Sequence, residues 1–577
     1  MLLKKNGTRT LNRLVLSVAA LSVLSLTTMP SGIAQDTMQT PNSQAQGGTS
    51  VADSSDPVVV VTLGSINKLM QDTNYISGVV GQPQFGGMFQ MMAGTFTQGM
   101  NMNEPIAVVV PLVDGSPEPI VLLPTSDVKT VLKRLEAQTG PADELDDGTM
   151  VIAVGANTVY IRQVGDWAAL ARNRDLLDLA PQDPKSVMTG MGNKYDMAVR
   201  VRVQQIPTET RTMLIESMRQ GFEQAISKQD QADAEGTKAV AESSIEQIEQ
   251  LIQNTDEIMF GWNIDQSDKA VHFDGSMTAV EGSKLAGMYG GQTSIPSMFA
   301  SVIRDDAAAY YHTAASISPE AIEQTVKSLQ TAMIQLDKAI VESDNLDDEK
   351  RIEIQALAGR LVDLASDSVK EGKADLGALL LANENDFQFV FGSFVADGNE
   401  AANIVKDLAA KLENEPKAPT FLFDQETYKD VVMHVVEADV PANEDEARKV
   451  FGDKLRVHLG TGPKSLYVAF GNNSQSLMKQ LIDAGASDNG GDRPLGQFKL
   501  KLLPILKYAQ SVENNDTVGA MVNSLANAAD EGEIRAMGNG IKNGQSSRFT
   551  ITEGLLQAIG AAVQQTQQAK MQQNGEF

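Results

Sequence analysis

The order strand, helical segment, hairpin, helix occurs twice along this chain, and that recurrence restricts the available folds more than any single motif does. The first copy opens at "PVVVVTLG" (57–64) and continues as "PIAVVVPLVDGSPEPIVLLPTSDVKTVLKRLE". This piece reads as strand, Gly-containing turn, strand and an amphipathic helix with Val128, Val131, Leu132 and Leu135 on one face. "GTMVIAVGANTVYIRQVGDWAALARNRDLLDLA" then reads as two short strands joined by a turn and followed by a helix. The second copy opens at "AAAYYHTAASIS" (307–318) and returns as "LGALLLANENDFQFVFGSFVADGNEAANIVKDLAAKLE". Locally, "GANTVYIRQVG" from Gly155 matches "GPKSLYVAFG" from Gly462, which sets Tyr160 against Tyr467.

A shorter unit follows each copy. "DMAVRVRVQQI" (196–206) corresponds to "GQFKLKLLPIL" (496–506), Glu257-Ile258 to Glu533-Ile534, and Glu281-Gly282 to Glu553-Gly554. The plan is therefore A-B-A′-B′, with a first half over residues 57–300 and a second over 301–577, each the size of a domain or a tightly joined domain pair. Between opening strand and hairpin lie helical inserts. In the second half Ile322, Val326, Leu329, Met333, Leu336 and Ile340 form one apolar seam and Ile354, Leu357, Leu361 and Leu364 another, with Ser318 before Pro319 as the N-cap. Residues 208–227 and 243–253 predict a further helical pair. The expected fold is α+β: internally duplicated, mostly antiparallel sheets with inserted helical hairpins.

Ahead of the repeat, residues 1–34 read as a cleavable signal peptide. Lys4, Lys5, Arg9 and Arg13 form a basic start, Leu14 to Leu26 an apolar core too short to span a bilayer, and "SGIAQD" a cleavage site after Ala34. The expected location is periplasmic or extracellular, with no transmembrane segment after cleavage. Residues 35–56 read as a polar, disordered leader. The chain has no cysteine, so neither a lipidated Cys nor a disulfide framework is available to it. Its formal net charge is −27, and loss of the signal's four positive charges takes this to about −31. Such a field disfavours nucleic acid and anionic membranes as partners and favours solubility.

Catalytic signatures are missing from the linear pattern. His272, His312, His434 and His458 stand far apart in strand patterns, without the i, i+4 pairing of a zinc protease, and read as structural residues. No G-x-S-x-G elbow occurs. "GTGPKSL" at Gly460 fails as a phosphate loop because Pro463 removes a backbone donor directly before the lysine. The acidic clusters 143–148, 344–349 and 488–492 lack the alternating carboxylate spacing of an EF-hand and read as solvated turns. No cofactor is expected.

The stretch "QFGGMFQMMAGTFTQGMNMN" poses the sharper question. Its methionines could pack in the core, form a contact surface for an envelope protein or an apolar ligand, or supply soft thioether ligands to copper(I). The favoured reading is intramolecular packing, since the slot is helical elsewhere and Phe85, Met88, Met92 and Phe96 fall on one helical stripe. The candidate contact surface comprises Phe85, Met88, Met91, Met92, Phe96, Met100 and Met102.

"PVVVVTLGSINKLM", units ending in patterns such as "SLYVAFGNNSQSLMKQLI", and the duplication together resemble large exported proteins of unknown function typical of planctomycete-type bacteria. That resemblance implies an envelope or secreted location and transfers no catalytic residue. The function expected is a non-catalytic exported scaffold for interaction or ligand binding. The alternatives are copper handling through the methionines and an enzyme whose site forms between the two halves.

Overall fold

The computed structural model describes residues 57–227, 245–341, 347–413, 415, 418–485 and 493–574. The expected signal, the leader and the acidic cluster 488–492 lie outside these residues, as does the first half of the cluster 344–349. The architecture is α+β and is dominated by one antiparallel sheet of 20 strands. From one edge inward the sheet runs Asp143–Glu144, Met150–Val154, Asn157–Val164, Trp167–Ala171, Ile120–Pro124, Ile106–Val110, Val59–Leu63, Met197–Arg202, Thr255–Asp265 and Ala270–Ala279. Ala270–Ala279 then pairs with Gly544–Thr552. Beyond that junction follow Glu533–Ile541, Gly496–Lys501, Ala309–Ser316, Lys373–Ala382, Phe387–Phe394, Ser465–Gly471, Lys454–Gly462, Val431–Asp439 and Thr420–Tyr428. Counted outward from the junction, both wings use their strands in the same chain order.

The helical inserts form where seams and caps anticipate them. Pro319–Val341 and Asp348–Lys370 make a hairpin, and the Ser318 hydroxyl accepts from the Ala321 N–H at 3.2 Å. Thr208–Ser227 and residues 245–254 are helical, as are Leu502–Val512 and Asp516–Ala526 in the other wing. The helix after each junction strand packs on the opening helix of the opposite wing. Lys284–Gly290 meets Pro319–Val341, with Gly287 against the Glu320 side chain, and Glu553–Asn574 meets Ile66–Val79. Among the described residues no helix is long and apolar enough to cross a membrane.

One face of each wing is well covered. In the first, Val60, Val109, Ile120, Leu122 and Ala169 lie beneath Leu176, Leu177, Met188, Met191 and Tyr195, all of them buried. In the second, Leu379, Val390 and Ala469 lie beneath Phe299, Leu477, Met478 and Leu481. Phe299 is fully buried in this second core, so the packing boundary between the wings lies before residue 300.

Two local readings are corrected. "DWAALA" is a strand, Trp167–Ala171, followed by a 3-10 turn at Asp175–Leu179, where a helix was expected. The strand is covered on both faces: Ala169 packs in the core under Leu176, while Ala168 packs against Val128 and Leu132 of the helix Val128–Thr139. Small side chains suit that confinement, and tertiary packing overrides alanine's helical preference. In addition, Tyr160 and Tyr467 do not occupy matching places. Tyr160 lies in Asn157–Val164, whereas Tyr467 lies in Ser465–Gly471, which stands in the wing position taken by Trp167–Ala171 on the other side.

Candidate functional site

In an antiparallel ladder, residues directly opposite one another share a face. Following the register across the middle of the sheet therefore traces a row: Leu63 opposes Met197, Met197 opposes Trp262, Trp262 opposes Phe273, and Phe273 opposes Phe549. The row continues beyond the junction through Ala536, Phe498 and Tyr311. Parallel to it run Val61, Val199 and Phe260, and then Val59, Val201, Ile258 and Met277. This is the face opposite to the two covered cores, and at its centre it is open. Phe260 is 48% exposed, Ile258 42%, Trp262 40% and Phe549 38%.

The aromatic rings on this face touch one another. Trp262 stacks on Phe273 at 6.3 Å between centroids, and Phe273 meets Phe260 at 6.4 Å and Phe549 at 6.1 Å. Five strands by three rows cover roughly 500 Å² at usual sheet spacings. A monomer's largest apolar patch is typically of that order and is often functional.

On the opposite face the two strands that meet at the junction carry a polar cluster. Asp274 accepts from Arg548 through two nitrogens at 2.7 and 2.9 Å and from the buried Tyr195 hydroxyl at 2.9 Å, with Lys194 at 3.2 Å. Burial alone would raise the Asp274 carboxyl, but these donors outweigh it and hold it at about 2. Since Asp274 and Arg548 oppose each other across the junction, this group ties the two wings together.

The methionine stretch forms the exposed helix Pro83–Phe96, which corrects the packing reading. Phe85, Met88, Met91, Met92 and Phe96 are 52 to 70% exposed, while Met100 and Met102 are half-buried in the following loop. The helix packs through Gly86, where an added Cβ would lie 2.9 Å from the Asn74 Cα and 2.3 Å from its Oδ1. Glycine's missing side chain allows the two helices to approach, and the approach turns the Phe and Met side chains outward.

Other chemistry-bearing groups are held structurally. Ser297, His312 and Asp375 are brought together: the Ser297 hydroxyl donates to Asp375 at 2.6 Å and lies 3.0 Å from His312 Nε2. Serine is the middle member here, whereas nucleophilic activation requires histidine between serine and carboxylate. All three are buried, at 3%, 0% and 5% exposure, so no substrate reaches them. His434 accepts the Asp424 N–H at Nδ1, and burial lowers its pKa. "GTGPKSL" is the tight hairpin turn between Gly462 and Ser465. In the acidic cluster 143–148, Asp147 bonds Arg174 and the Thr149 N–H, and these contacts hold its carboxyl at about 2. A shallow cleft of about 410 Å³ is lined by Asp306, Glu384, Lys501, Lys507 and Glu531, but its lysines already pair with Glu531 and Glu384.

No protein family matches the chain, and no curated protein or solved structure is detectably similar to it. The open apolar face was overlooked in the sequence because "EIMFGWNID" carries apolar residues at consecutive positions. The signal that could have found it is the aromatic alternation Phe260, Trp262 in one strand with Phe273 in the next.

Proposed function

We propose that the protein is a non-catalytic exported scaffold whose working surface is the open apolar face at the junction of a duplicated fold. The observation that carries this reading is the row Leu63, Met197, Trp262, Phe273, Phe549, in which all but the half-buried Phe273 stay exposed although the opposite faces of both wings are closely packed. Leaving such residues in water forgoes about 25 cal/mol for each Å² of apolar area that could be buried. The face is broad and lacks the concavity that encloses a small ligand, which favours a partner presenting an extended apolar surface. Duplication is supported by the common strand order of the two wings, and export by the basic and apolar pattern of residues 1–34. The helix Pro83–Phe96 adds a second exposed apolar surface to the scaffold.

The test is photo-crosslinking in the protein's own envelope fraction, with a photoreactive phenylalanine analogue at position 260 and, as control, at the exposed position 539 on the opposite face. A discrete adduct formed from position 260 and not from 539 is expected. Equal labelling from both positions, or none from 260, contradicts the proposal.

A further inference from the structure

We infer that the turn joining the two strands of the first wing nearest the junction is a binding site for a divalent metal ion of zinc-like chemistry, formed by Asp265, Asp268 and His272. One ligand atom from each residue lies within 4.8 Å of the others, the one such group among the described residues. The decisive member is His272. It is 8% exposed, and its buried Nε2 has no hydrogen-bond partner. That nitrogen points at the turn, 3.6 Å from Asp268 Oδ2. A buried ring nitrogen left without a partner is rare in a folded protein and calls for an occupant.

The other ring nitrogen is already engaged. Nδ1 lies 3.0 Å from the hydroxyl of Thr550, the residue directly opposite His272 across the junction. With Nδ1–H donating to Thr550, Nε2 carries the lone pair, the arrangement in which a histidine ligand is oriented by its outer partner. The carboxylates complete the set. Asp265 Oδ1 is occupied by the Ser267 N–H and hydroxyl and by the Asp268 N–H, while none of these bonds uses Oδ2. Asp268 is a side chain 67% exposed and able to swing.

Tetrahedral coordination with metal–ligand bonds near 2.1 Å places ligand atoms about 3.4 Å apart. The His272–Asp268 separation is already close to this, and carboxylate rotation supplies the remaining closure. Two carboxylates and a neutral imidazole balance a dication, and the nitrogen ligand selects zinc-like ions over calcium or magnesium.

The site's position suggests a structural role. Gln266, inside the turn, donates to Asp72 on the helix Ile66–Val79 at 2.7 Å, and the Lys269 carbonyl accepts the Glu553 N–H that starts the last helix. An ion here would fix the point where the first wing, the second wing and the last helix meet.

Zn²⁺ is the probe, titrated calorimetrically into metal-free mature protein, with melting temperature as a second readout. The expected result is saturable 1:1 binding with a raised melting temperature, and at least tenfold weaker binding in both His272→Gln and Asp268→Asn. Asp268→Asn alters only an exposed turn side chain, so its loss of binding cannot be ascribed to misfolding. Absence of saturable 1:1 binding to the wild type overturns the inference, as does binding that Asp268→Asn leaves unchanged.

Discussion

The junction rests on a few residues whose two faces perform different tasks. In Ala270–Ala279 and Gly544–Thr552, Phe273 and Phe549 project to the open face, while Asp274 and Arg548 meet on the other. Asp274 has a carboxyl held at about 2, against a usual value of 3.8. A carboxyl lowered on folding contributes stability that is fully present above the unfolded value and is lost as pH falls through the folded one. Arg548→Ala is expected to cost about 1–2 kcal/mol at neutral pH, moderated by the partial exposure of Arg548, and to flatten the decline in stability between pH 4 and pH 2. Urea unfolding of both proteins across that pH range checks it. Identical pH profiles would remove Arg548 as the group that holds Asp274 down.

At the scale of elements, sequence periodicity was informative where one face of an element was apolar and the other polar. It correctly anticipated the helical pair Pro319–Val341 and Asp348–Lys370, the Ser318 cap, and the strands around Tyr310 and Phe389. It failed where both faces carried the same kind of residue. Trp167–Ala171 lies between two layers and reads as helix by its alanines, and the Thr255–Asp265 strand exposes its aromatic residues, whose alternation marks a shared face but not whether that face is covered.

The Met-rich helix failed for another reason: its packing depends on Gly86, and a glycine announces close approach only once its neighbour is known. Two adjacent glycines separate the effects. Gly86→Leu meets Asn74 and is expected to cost about 1–3 kcal/mol, whereas Gly87→Ala, with nothing within 4 Å, is expected to stabilise by about 0.5–1 kcal/mol. Chemical denaturation of the two variants tests the helix pairing. Equal effects on stability would contradict it.

For the whole molecule, the sheet explains why the candidate site is invisible along the chain. The exposed row draws residues from Val59–Leu63, Met197–Arg202, Thr255–Asp265, Ala270–Ala279 and Gly544–Thr552, so neighbours on the surface are up to hundreds of positions apart in sequence. The group Asp265, Asp268 and His272 is the opposite case: its members fall within eight consecutive residues, yet only burial of His272 and its contact with Thr550 give them chemical meaning. The central claim is that the apolar face exists to be covered. The measurement that tests it most directly is native mass spectrometry of the protein purified gently from its native cells, beside a Phe260→Ser/Phe549→Ser variant with unchanged circular dichroism. The account predicts a stoichiometric associated mass on the wild type that the variant loses; a bare wild-type monomer, or an associated mass that the variant retains, would contradict it.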